Sequence, residues 1–119
     1  MSMKSNNNAD LRPIALLEAI RQQGKEWDVL APRYGVTHPD PPWKTSLIGM
    51  CECLAVSGSL PTLDRRRAED ELEKAVYSKV PAPERELLAL VHTMLSRGLV
   101  VEGDLASRMR AVRLRLEAV

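Results

Sequence analysis

No phenylalanine occurs in the 119 residues, and Trp27, Trp43, Tyr34 and Tyr77 are the only aromatic side chains. With 45% apolar residues the chain has material for one domain, but its core has to be aliphatic and modest in size. Charge of one sign is also missing. A formal net charge of +1 gives no electrostatic footprint for general binding to nucleic acid or to a membrane surface. There is no apolar run long enough to span a bilayer, and the polar opening "MSMKSNNNAD" lacks the apolar stretch of a signal peptide. These absences predict a cytoplasmic chain. Cysteine is scarce too: Cys51 and Cys53, one residue apart, make no disulfide framework.

Helical periodicity dominates what is present. Residues 1–9 read as disordered. Asp10 is placed to cap a first helix through Ile14, Leu17 and Ile20, ended by Gly24, with Pro13 tolerated in its first turn. The segment "WDVLAPRYGVTHPDPP", rich in proline, predicts an extended arm up to residue 41. From residue 42 onward a helical domain is expected. Its first helix carries Trp43, Leu47, Cys51 and Leu54 on one face and stops at Gly58. The next opens at Thr62 or Asp64 and bears Ala68, Leu72, Ala75 and Val76. Another follows "VPAPE" with Leu87, Leu88, Val91, Met94 and Leu95, closed by Gly98. The last, from about Glu102 to Glu117, aligns Leu105, Met109, Val112 and Leu116. No alternating strand pattern competes, so the expected fold is all-α, a small bundle of about four to five helices with an extended Pro-rich N-terminal arm.

The two cysteines are weak metal ligands. Residues two apart on a helix are separated by about 200° around its axis, so Cys51 and Cys53 do not converge on one ion. Cys51 belongs to the Trp43/Leu47/Leu54 stripe, where a thiol behaves as a small hydrophobe. His38 falls in the Pro-rich arm and His92 beside Val91 on a helix, and both read as ordinary polar or partly buried residues. In "LDRRRAEDELEK" the plain reading is a solvated helix face with ion pairs four apart, Arg65 with Glu69 and Arg67 with Glu71. Spacing alone does not single out Arg66.

The stretch "MCECLAVSGSLPTLDRRRAEDELEKAVYSKVP", followed by "ERELLALVHTMLSRGLVVEGDLASRMRAVRLR", resembles the helical β subunit of thiocyanate hydrolase and, more distantly, the N-terminal half of the nitrile hydratase β subunit. The shared elements are the CECLA helix, a glycine, an arginine triplet after it, a Val-Tyr before a proline, and the last helix pair. The resemblance spans residues 42 to 117, about two thirds of the chain. It implies a non-metal-binding β-type subunit of a multi-subunit, cobalt-dependent enzyme, with the cobalt (or iron) held by oxidised cysteines of a metal-bearing α-type subunit. In that family the β-type chain lends arginines to the oxidised cysteine oxygens and residues to the substrate pocket, a task suited to the planar, always charged guanidinium. Aligned on Gly58, the family arginine falls on Arg66, with Arg65 and Arg67 as weaker candidates, and the pocket positions fall on Tyr77, Ala82 and Pro83.

Two departures stand out. Family members commonly carry a Tyr-Tyr pair and a Trp where this chain has Ala82, Pro83 and Glu86, which leaves either room for a bulky nitrile, as in the three-subunit toyocamycin nitrile hydratase type, or no substrate contact. The sequence also stops at Val119, before the β-barrel of the two-subunit enzymes, so the resemblance implies a separate β-barrel subunit. Two other readings remain: an accessory protein that assists cobalt insertion into the α-type subunit, and a helical protein-interaction domain without catalysis.

Overall fold

The computed structural model describes residues 10–24, 26–37 and 40–118, and the predicted disorder of residues 1–9 lies outside them, as does His38. Six helices account for the regular structure of these residues, with no strand among them: α1 (Ala15–Arg21), α2 (Trp27–Arg33), α3 (Lys44–Ser57), α4 (Thr62–Ala75), α5 (Ala82–Ser96) and α6 (Glu102–Glu117). The all-α expectation holds, and α3 to α6 begin and end close to where periodicity places them. No helix among the described residues is long and apolar enough to cross a membrane.

The bundle is organised around α5, whose residues 88–90, 92 and 93 are all buried. One side of α5 presents Leu88 and Ala89 to a cluster with Leu17 of α1, Leu72 of α4, Tyr77 and Val80. The other presents Leu90 to Leu47 of α3 and Leu60, with Trp43, Cys51 and Leu54 packed against them. Two small aliphatic cores on opposite sides of one helix are what a chain without phenylalanine can build. The closest helix pair is α4 with α5, joined by a tight turn in which the N–H groups of both Val76 and Tyr77 donate to the Leu72 carbonyl at 2.9 Å. After α5, Gly98 takes φ +75° and the Leu99 N–H reaches back to the Met94 carbonyl at 2.9 Å, closing the helix in a left-handed cap that only glycine enters freely.

The N-terminal part departs from expectation at two points. Asp10 does not cap α1. Its carboxylate instead accepts from the Arg12 N–H at 3.1 Å and from the Arg12 guanidinium at 2.6 Å, while α1 receives its cap from afar, the Glu102 carboxylate accepting the Leu16 N–H at 3.1 Å. The Pro-rich arm is not extended throughout, because residues 27–33 form α2 with Pro32 inside it. A proline costs a helix the single N–H bond it cannot donate. In a helix of seven residues that loss falls in the final turn, and Trp27 N–H is fixed from outside by the Glu84 carboxylate at 2.6 Å.

The last helix packs least. None of its residues is buried, and Met109 and Leu116, expected on the inward stripe with Leu105 and Val112, are exposed.

Candidate functional site

The α3–α4 hairpin, with the start of α5, encloses an open cleft of about 730 Å³. From α3 come Leu47, Ile48, Cys51, Ala55 and Val56, a run at helical spacing, with Lys44 and Glu52 at its edges. From α4 come Thr62, Arg65, Glu69 and Glu73, also at helical spacing, and α5 adds Glu86. The floor is therefore aliphatic and one wall is acidic.

Arg65 is the arginine of the triplet that enters this cleft. Its side chain is 17% exposed and its Nη1 donates to Glu69 Oε1 at 3.0 Å, the pair that four-residue spacing predicts. The Arg65 Nε is buried without a hydrogen-bond partner among the described residues. Burial pushes the Glu69 carboxyl up from its ordinary range, and the Arg65 charge pulls against that. Burial likewise raises the Cys51 thiol. Arg65 opposes the shift, while Glu69, Glu86 and Glu52 add to it. A thiol held protonated in this way is a poor nucleophile and a poor metal ligand.

Arg66 lies about 100° further around α4 and is exposed, with no ion pair among the described residues. Asp70, four residues on, is exposed as well, and the two form no ion pair among the described residues. Arg67 is exposed but engaged, as is Glu71. The helix thus separates the triplet into an inward Arg65 and outward Arg66 and Arg67. The sequence signal for this was the register: Arg65 precedes Ala68 by three residues and Leu72 by seven, and both are buried.

Tyr77, a substrate-pocket position by the resemblance, is fully buried, with its hydroxyl 2.7 Å from His92 Nδ1 and the two rings edge to face. Ala82 is exposed and Pro83 half-buried at the opening turn of α5, and neither lines the cleft. Nor does periodicity reveal His92, which is fully buried between two partners. Its Nε2 lies 2.7 Å from the Asp10 carbonyl, an acceptor only, so Nε2 carries the hydrogen, and in the neutral ring Nδ1 accepts the Tyr77 hydroxyl. Two polar residues 15 apart and a backbone carbonyl 82 residues away form this chain, a distance no local pattern encodes.

The two cysteines diverge as helical geometry requires: Cys51 is half-buried against the Leu47/Leu60/Leu90 cluster and Cys53 is exposed. Among the described residues no group of three or more His, Cys, Asp or Glu side chains is arranged to hold a metal ion. Compared with known proteins, the chain matches no family model, no curated protein and no solved structure.

Proposed function

We propose that this chain is a helical β-type subunit that holds no metal and completes an active site on a metal-bearing α-type partner, as the resemblance of residues 42 to 117 to the thiocyanate hydrolase and nitrile hydratase β subunits implies. The observation that supports this most directly is the division of labour within the arginine triplet. Arg65 is committed to Glu69 inside its own chain, whereas Arg66 stands exposed on α4 with no ion pair among the described residues, on the same outer face as Leu63, which is 58% exposed. An arginine not used within its own chain is available to acceptors on another.

In such a complex the Arg66 guanidinium would bridge two oxygens of oxidised cysteines on the partner, holding them by paired, charge-assisted hydrogen bonds that a lysine cannot reproduce. The partner's cobalt or iron would supply Lewis acidity for hydration of a C≡N group. The exposed apolar side chain of Leu63, one turn before Arg66 on α4 and outside the cleft, suits docking against another chain better than contact with water.

Co-expression with a subunit bearing a C-x-x-C-S-C motif and a separate barrel subunit tests the proposal. A stable complex with nitrile or thiocyanate turnover is expected, in which Arg66→Lys lowers turnover more than tenfold without loss of assembly or metal. Exchange of this chain during cobalt loading, with no permanent complex, would make it an accessory protein instead. Full activity of Arg66→Lys would remove the arginine from the mechanism.

A further inference from the structure

The acidic cleft and the last helix have complementary surfaces. Along α6, Leu105, Met109, Val112 and Leu116 recur at intervals of four, three and four residues and form one stripe. Arg113 borders it on one side, Arg108 and Arg115 on the other. The stripe is incompletely covered by the described residues: Leu105 and Val112 are half-buried, while Met109 is 39% and Leu116 68% exposed. Counted over residues 105–118, α6 has four arginines, at 108, 110, 113 and 115, against the single acid Glu117.

The cleft is the inverse. Its aliphatic floor is lined by Glu52, Glu69, Glu73 and Glu86 against Lys44 and Arg65, and Ile48 and Val56 at its rim are 53% and 90% exposed. Lengths agree: the 16 residues of α6 span about 24 Å and the 14 residues of α3 about 21 Å at 1.5 Å per residue.

We infer that α6 of a second copy of this chain docks in the α3–α4 cleft, its apolar stripe on Leu47, Ile48 and Val56 and its arginines on the glutamates. The charge gradient sets the direction. Glu73 lies towards the end of α4, which the hairpin brings beside Lys44 at the start of α3, whereas Thr62 and Val56 form the neutral end of the cleft. Glu69 is paired with Arg65 and Glu73 with Arg85, so the exposed Glu52 and Glu86 are the carboxylates left for the arginine-bearing half of α6, while its acidic first turn, with Glu102 and Asp104, lies towards Val56, so that α6 runs antiparallel to α3. Reciprocal exchange of α6 closes a two-fold dimer. Arg66 lies outside the cleft, so the inference stands whether or not the chain has a metal-bearing partner.

The test is sedimentation velocity of the full chain over a concentration series, with folding of each variant checked by circular dichroism. The wild-type chain is expected to dimerise, with affinity falling at least tenfold between about 50 mM and about 500 mM salt as screening shortens. Arg108→Glu with Arg115→Glu makes α6 acidic, and Glu52→Lys with Glu86→Lys makes the cleft basic. All four positions are exposed, so the fold is retained. Each double variant alone is expected to be monomeric, and an equimolar mixture to dimerise again, because both exchanged contacts are then complementary. A wild-type chain that stays monomeric overturns the inference, as does dimerisation indifferent to the cleft variant, which would assign the contact to α6 pairing with itself. A monomer that binds phosphatidylserine vesicles through α6 would assign the helix to a membrane surface and overturn it equally.

Discussion

The Tyr77 hydroxyl lies 2.7 Å from His92 Nδ1 in a part of the bundle where both side chains have no exposed surface. With Nε2 of the same ring on the Asp10 carbonyl, this contact ties the α4–α5 turn, the middle of α5 and the segment before α1 to one imidazole. Tyr77→Phe removes the hydroxyl and leaves a buried acceptor unpaired, an expected loss of about 1–3 kcal/mol. Urea denaturation of the variant beside the wild-type chain measures it.

Burial of the Tyr77 hydroxyl, reinforced by the Glu18 charge and opposed by Arg21, pushes its pKa up to about 12, above the value of about 10 it has when unfolded. The folded state therefore favours the protonated phenol. Its contribution is complete below about pH 10 and is lost as pH rises from there towards 12. Stability measured between pH 9 and about 11.5 is expected to fall, and to fall less steeply in Tyr77→Phe, which has no phenol at that position.

The two cysteines are expected to label at different rates. Cys53 is exposed, whereas Cys51 is half-buried with its thiol held protonated by burial and by the surrounding carboxylates. At mildly alkaline pH, mass spectrometry of an alkylation time course should find Cys53 modified first. Cys53→Ser should leave a single slow thiol, and an equally fast Cys51 would contradict the placement of that side chain.

The α2 segment is expected to depend on Glu84, whose carboxylate holds the Trp27 N–H. Glu84→Ala should expose residues 27–37 to limited proteolysis while α3 to α5 remain resistant. Unchanged cleavage would mean that α2 is held by packing alone.

Gly58 ends α3 at φ +81° with open space where a Cβ would project. Gly58→Ala should therefore cost only the left-handed backbone strain, about 1–2 kcal/mol. Thermal unfolding of the variant reports it.

The C-terminal four helices were legible because their apolar residues recur at helical spacing between unambiguous stops, Gly58, Pro81 and Gly98. The N-terminal part was not. "WDVLAPR" reads as an arm because proline disfavours helix, and α2 exists with help from a glutamate 57 residues away. The core role of Tyr77 was hidden for the same reason, since Tyr77 sits in the turn after α4 and its partner His92 lies 15 residues on, in α5. For the arginine triplet, pattern alone offered three equal residues, and the register of Ala68 and Leu72 distinguishes Arg65 from the other two.

The cap on α1 has a consequence for the order in which the molecule is made. The carboxylate that accepts the Leu16 N–H belongs to Glu102, and the ring that holds the Asp10 carbonyl belongs to His92, residues synthesised 86 and 82 positions later. During translation α1 emerges without either anchor, and a seven-residue helix is marginal by itself in water. Made before the other five described helices, α1 is thus among the last to become secure, since it waits on α6 for its cap.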